Sequence, residues 1–358
     1  MTPDELVDAL HASRGFEHKR DISDVVTALH QALPGGLADT TLAGAHGVLL
    51  GDDCAAIPEP HGDGHLLLAI EGLVDDFVAR MPWFAGYSAI MVNLSDIAAM
   101  GGRPIAVVDA LWSAGQSQAD PILQGMAAAS TAYGVPIVGG HSNNRAAQGQ
   151  LAVAVLGRAQ RLLSSFAARP GQRLLMATDL RGQWQDPYPF FNASTMAPPE
   201  RLRADLALLP ELAEAGLCSA AKDISMAGCL GTALMLLECS QVGAVIDLDR
   251  LPHPAGHGPA DGDAAWLRWL TAFPSYGYLL SVEPDQVDAV CTRFAARDLA
   301  CTVIGEVTTE PQVWLRHRHA APPAASAQPP AATAALLWDF AQRPFIGTRE
   351  RVRAQGLA

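Results

Sequence analysis

Val92-Asn93-Leu94-Ser95-Asp96-Ile97-Ala98-Ala99-Met100-Gly101-Gly102-Arg103-Pro104 closes a strongly apolar run that begins at Phe84. The run predicts a helix over Phe84 to Met100, ended by Gly101-Gly102 and Pro104. Asn93 and Asp96 are three apart, so on a helix they share a face, and Met100 extends it. A polar pair inside an otherwise apolar helix costs stability unless something satisfies it. Three partners are open at this point: each other, a loop backbone, or a bound ligand.

Working outward, Gly47 to Leu50 and His65 to Ile70 read as short buried strands before the helix. Ile105 to Trp112 (strand), Pro121 to Tyr133 (helix), Pro136 to Val138 (strand) and Gln150 to Gly157 (strand) follow it. Near Ala167 to Gly171 the pattern restarts. Arg173 to Thr178 reads as a strand, Pro199 to Ala215 and Met226 to Glu238 as helices. Gly243 to Leu248 and Tyr278 to Val282 are strands, Gln286 to Arg297 a helix and Cys301 to Val307 a strand.

The expectation is two successive α/β blocks, 46–165 and 166–318, with a seam between Gln160 and Pro170. Residues 1–45 form a segment helical in part, over Pro3 to Leu10 and Ile22 to Leu33. At the other end, 319–358 reads as an Ala/Pro linker (Ala320 to Ala335) and an aromatic tail with Trp338, Phe340 and Phe345 that packs back on its own protein.

The 358 residues are 49% hydrophobic and 17% charged, which suits a globular chain. The formal net charge of −13, from 37 acidic and 24 basic side chains, repels phosphate backbones and argues against a nucleic-acid partner. No apolar run approaches a membrane span, and the acidic start does not resemble a signal peptide. The six cysteines form no Cys-x-x-Cys pair and read as thiols of a reducing compartment, so the expected location is the cytoplasm.

Three further runs carry polar chemistry. Leu50-Gly51-Asp52-Asp53-Cys54 sets two carboxylates after a strand, which suits either a solvated turn or a hard cation such as Mg²⁺. Ile137-Val138-Gly139-Gly140-His141-Ser142-Asn143 suits either an anion-binding loop or a tight hairpin before Gln150. Ala221-Lys222-Asp223-Ile224-Ser225 precedes an apolar helix, with Asp223 or Ser225 as an N-cap.

In this order, the four runs resemble the PurM-like superfamily, which includes AIR synthetase and thiamine-monophosphate kinase. The likeness runs from about His46 to Thr308, and the AIR synthetase-related proteins are the nearest in appearance. The resemblance implies a two-domain α/β (α+β) fold, with an N-terminal domain forming a dimeric β-barrel and a C-terminal α/β domain. It implies ATP and Mg²⁺ as cofactors, a small-molecule substrate and a homodimer. By motif match, Asp52, Asp53, Glu71, Asp96 and Asp223 would hold the metal. Asn93, Asp96, Gly139, Gly140 and His141 would bind the nucleotide.

The departures from the pattern narrow the reading. Met226 stands where the thiamine kinase has a second aspartate, Glu71 replaces a shorter aspartate, and His141 replaces an aspartate. The expected activity is phosphorylation of an oxygen of a small substrate, with a ligase-like or a kinase outcome, and a non-catalytic nucleotide-binding regulator is the alternative. His141 and Asp179 are the candidate catalytic groups. The aromatic stretch 178–198 suits either a substrate wall or a packed surface loop.

Overall fold

Thr2 opens the chain with a capping box: its hydroxyl accepts from the Glu5 amide, and the Glu5 carboxylate accepts from the Thr2 amide. That fixes α1 (Pro3–His11), and α2 (Arg14–Ala32) follows, beginning well before the expected Ile22. The computed structural model describes residues 1–32, 51–59, 61–317 and 334–348; the expected strand at 47–50 and the linker over 320–333 lie outside them. The chain divides into two compact units. One takes Met1–Asp52, Leu163–Ala193 and Gly216–Ala358, the other Asp53–Leu162 and Ser194–Ala215.

The second of these units is built on β1 (Ala55–Pro58), β2 (His65–Gly72), α3 (Asp75–Arg80), α4 (Pro82–Ala99), β3 (Arg103–Trp112), α5 (Gln116–Tyr133), β4 (Ile137–Asn143) and β5 (Gln150–Ala159). Its sheet runs β1-β2-β5-β3-β4. All pairings are antiparallel except β3 with β4, which are parallel and joined by the crossover helix α5. The Gly139-Gly140-His141 run is therefore the body of an edge strand rather than a hairpin or a loop.

Period-two alternation gives the sheet two apolar faces. Leu67, Ala69, Val107, Val153 and Val155 are buried on one side, where α4 packs on β2 and β5. Leu68, Ile70, Ile105, Val108, Val138 and Leu156 stay exposed. The registers Leu68↔Leu156↔Ala106 and Ile70↔Ala154↔Val108 set these side chains in rows across the strands.

Glycine sets how closely α4 and α5 cross. A Cβ on Gly86 would lie 2.0 Å from the Ile122 carbonyl oxygen, and one on Gly125 1.9 Å from that of Trp83. The expected helix over Pro199 to Ala215 is two: α6 (Pro199–Leu206) and α7 (Leu208–Glu214). Pro210 lacks an amide proton and would clash with the carbonyl of residue 206, so the helix cannot run through. Both pieces pack on α4 within this unit.

The other unit carries β6 (Arg173–Thr178), β7 (Gln183–Trp184), β8 (Phe190–Asn192), β9 (Ala220–Asp223), α8 (Gly228–Cys239), β10 (Gly243–Asp247), α9 (Asp263–Leu270), β11 (Phe273–Pro274), β12 (Gly277–Val282), α10 (Val287–Ala295), β13 (Ala300–Thr308), β14 (Gln312–Arg316) and β15 (Ala334–Asp339). Seven strands form one sheet, β15-β14-β10-β13-β6-β12-β9, and β11, β8 and β7 form a small second one. Every residue of α8 is buried, as its near-continuous apolar sequence requires. No helix among the described residues is long and apolar enough to cross a membrane.

The aromatic tail packs back on this unit, as expected. Its strand begins at Ala334, inside the stretch read as linker, and pairs with β14. Trp338, Phe340, Phe345 and Ile346 are buried in the core. The buried Glu238 carboxylate of α8 accepts three backbone amides in a row, from Phe345 (3.2 Å), Ile346 (2.7 Å) and Gly347 (3.2 Å). An acid inside an apolar helix is tolerated because those donors replace its water. Phe345→Ala is expected to lower the unfolding free energy in urea by about 3–5 kcal/mol; an unchanged midpoint would show that the tail lies outside the cooperative core.

Candidate functional site

The buried polar pair of α4 does not satisfy itself. Asn93 is fully buried, and its Nδ2 donates 2.8 Å to the Ala89 carbonyl one turn back. Its Oδ1 is buried and accepts no hydrogen bond among the described residues. Asp96, one turn on, is also buried. Asp53, half-buried just before β1, brings a carboxylate oxygen within 4.8 Å of one from Asp96. Two carboxylates this close repel by a few kcal/mol at an effective dielectric constant of about 20, so the pair favours a positive partner.

Asp52 belongs elsewhere. Its carboxylate accepts the hydroxyl of Ser164 (2.8 Å) and the hydroxyl and amide of Ser165 (2.6 and 3.0 Å). The boundary between the two units falls between Asp52 and Asp53. Gly51, next to it, has φ +118°, a conformation strained for any other residue, and an added Cβ would lie 2.4 Å from Thr348 Cγ2. Only one of the two adjacent acids therefore faces Asp96.

Among the other expected site residues, Glu71 lies near the end of β2, exposed and opposite Val153, outside the Asp53–Asp96 group. Gly139, Gly140 and His141 occupy successive positions of β4, opposite Val108, Asp109 and Ala110. A Cβ on Gly140 would meet Asp109 Oδ1 at 2.4 Å and its carbonyl oxygen at 2.7 Å, so close strand packing itself requires glycine there. Burial raises the Asp109 carboxyl above its ordinary range. The exposed His141 ring lies 6.4 Å from that of Trp112.

In the other unit, Asp223 is the buried last residue of β9, opposite Tyr278. It does not cap α8: the N-cap is Ala227, with no side-chain cap, and the Ser225 amide donates to Thr232 Oγ1 at 3.1 Å. Asp179 is buried and binds Arg181 through its amide (2.9 Å), Nε (2.8 Å) and Nη2 (3.1 Å). That fork holds the carboxylate as an anchor for the guanidinium.

Sequence reasoning passed over Lys222, which is buried beside Asp223 on β9. The only signal was its place in the Lys-Asp-Ile-Ser run, since an isolated lysine usually reads as solvated. Its charge acts on Cys239, whose thiol burial pushes up to about 12 against the pull of Lys222.

Residues 183–192 of the stretch 178–198 are packed rather than an open loop. Trp184 Nε1 bonds His257 Nε2 at 2.9 Å, the Arg268 guanidinium sits 4.0 Å over the Trp184 ring, and Arg268 pairs with Asp186. Phe191 meets both Trp184 and Trp269 edge-on.

Comparison with known proteins gives this architecture its family. The N-terminal domain model of the AIR synthase related proteins matches residues 51–159, and the C-terminal domain model matches 176–317. A protein of Synechocystis sp. is 42% identical over 344 residues, covering 96% of this chain and 98% of its own. The chain belongs to the AIR synthase related family, and its fold is PurM-like.

Thiamine-monophosphate kinase of Synechococcus elongatus is 29% identical over 289 residues, 74% of this chain and 86% of the kinase. A ThiL protein complexed with AMPPCP and TMP shares the fold with a TM-score of 0.59 at 22% identity, over 75% of this chain and 88% of that one. Thermotoga maritima PurL complexed with ADP shares it with a TM-score of 0.64 at 20% identity, over 92% of this chain and 53% of that one. This chain therefore spans about half of that PurL. The need for glycine at position 140 is open to a direct check: Gly140→Ala is expected to lower stability by about 1–3 kcal/mol through the clash with Asp109, read from the melting or urea midpoint, whereas Gly139→Ala, with 4.0 Å of space, should cost less.

Proposed function

We propose that this chain is an ATP- and Mg²⁺-dependent enzyme that phosphorylates an oxygen of a small-molecule substrate. The observation that carries the reading is the convergence of Asp53 and Asp96 to within 4.8 Å. Two carboxylates and the buried Asn93 Oδ1 are hard oxygen donors, the type Mg²⁺ prefers. We assign Asp53 and Asp96 as metal ligands, and in the other unit Asp223 is a separate candidate metal ligand by its Lys-Asp-Ile-Ser motif. When bound, Mg²⁺ would gather the phosphate oxygens and spread their developing charge.

The chain's own residues supply position. α4 is buried along almost its whole length, so Asn93 and Asp96 are held on a rigid element. Gly139, Gly140 and His141 are assigned to the nucleotide, with the β4 backbone as the edge it lies against. Asp179, engaged by Arg181, orients that guanidinium in this reading rather than accepting a proton. Met226 is exposed where the thiamine kinase has an aspartate, which favours a different substrate from that enzyme's.

Asp53→Asn and Asp96→Asn are each expected to weaken Mg·ATP binding about tenfold or more, a change of ~1.4 kcal/mol, with the circular dichroism spectrum retained. Titration calorimetry reads this directly, and unchanged affinity in both variants would remove the metal from this place. ADP release with a phosphorylated product would mark the kinase version, and ADP with inorganic phosphate the displacement version.

We also propose that the chain is a homodimer joined through the exposed apolar face of the β1–β5 sheet. A row of Leu68, Ile70, Val108 and Leu156 facing water is unfavourable in a lone chain. Ile70→Glu should convert a dimer to a monomer by light scattering; a wild-type chain already monomeric at micromolar concentration would refute this.

A further inference from the structure

Six cysteines are present, and the structure sorts them sharply. Cys54, Cys218, Cys229 and Cys239 are buried, whereas Cys291 and Cys301 are partly exposed. Cys291 lies on α10 and Cys301 near the start of β13, where it pairs with Ala177 of β6. Val290 and Phe294 are fully buried and fix the face that α10 turns to β13. This packing brings the Cys291 and Cys301 sulfurs to 3.9 Å. A disulfide needs about 2 Å between sulfurs, so its formation requires the two side chains to rotate toward each other.

We propose that Cys291 and Cys301 form a dithiol site that hydroperoxides oxidise to an intramolecular disulfide. The two thiols have distinct roles. The sulfur–sulfur contact with Cys301 favours the Cys291 thiolate, lowering its pKa to about 7, and that of Cys301 is raised by the same contact and by burial. Cys291 is thus the attacking sulfur and Cys301 the resolving one. The buried Cys218, Cys229 and Cys239 are each pushed up to about 12 and stay thiols.

In the first step the Cys291 thiolate attacks one peroxide oxygen. An S–O bond forms, the O–O bond breaks, and the other oxygen leaves with a proton as water or an alcohol. In the second step the Cys301 sulfur attacks the sulfur of the Cys291 sulfenic acid. The S–S bond forms, the S–O bond breaks, and the hydroxyl leaves as water with the Cys301 proton. Two thiols lose two electrons and two protons in total, and the hydroperoxide is reduced by the same two electrons.

The test uses the full chain with hydrogen peroxide as the probe. The intact mass should fall by two hydrogens, and peptide mapping without reductant should recover one cross-link, between the α10 peptide and the β13 peptide. In Cys301→Ser the reaction should stop at the sulfenic acid, trapped by dimedone on Cys291; Cys291→Ser should give neither product. A wild-type chain with no 291–301 cross-link under peroxide overturns the proposal. So does a cross-link through another cysteine, or a dimedone adduct that forms first on Cys301 in the wild type. The wild-type map decides the matter even where a variant fails to fold.

Discussion

Two carboxylates held within 4.8 Å of each other, one of them inside a buried helix, are the constraint on which the β1–β5 unit turns. Asp96 sits on α4 one turn beyond Asn93, and apart from Ser88 and Ser95 the rest of the buried surface of α4 is apolar. Burying an amide and an acid at those positions costs stability unless both are satisfied. The sheet beneath it, the glycines that let α5 approach and the chain leading into β1 fix where the two carboxylates lie. Structure that opposes its own local stability is the usual physical sign of a binding site.

The other unit is organised around a different buried acid. Glu238 gathers three consecutive amides from the C-terminal segment and draws Phe345 and Ile346 into the core beside α1 and α2. Gly51 meets Thr348 of the same segment, and the Cys239 thiol donates to the Gly51 carbonyl at 3.5 Å. The C-terminal segment therefore buttresses the approach to Asp52, and Ser164 and Ser165 complete that anchor. Both ends of the chain lie outside the stretches matched by the two family domain models, yet they supply part of this unit's core.

Much of the fold was legible residue by residue. Short apolar runs revealed β2 and β5, the longer apolar run revealed α4, and paired glycines marked its end. The misses have physical causes. β9 reads Ala-Ala-Lys-Asp, and its polar half conceals a strand that only the neighbouring β12 makes buried. β15 begins in alanines that resemble the linker before them. β4 carries two glycines, a turn signal by composition, but the close approach of Asp109 demands one of them inside a strand.

The site was legible as a list of residue types and only partly as an arrangement. By itself the sequence determined that a buried helix carries an amide and an acid one turn apart, because helical periodicity depends only on near neighbours. Tertiary structure decided which of two adjacent aspartates would meet that helix. Asp52 turns to serines 112 and 113 positions away, and Asp53 turns to Asp96. That choice rests on the backbone at Gly51 and on partners remote along the chain, which no local pattern can encode.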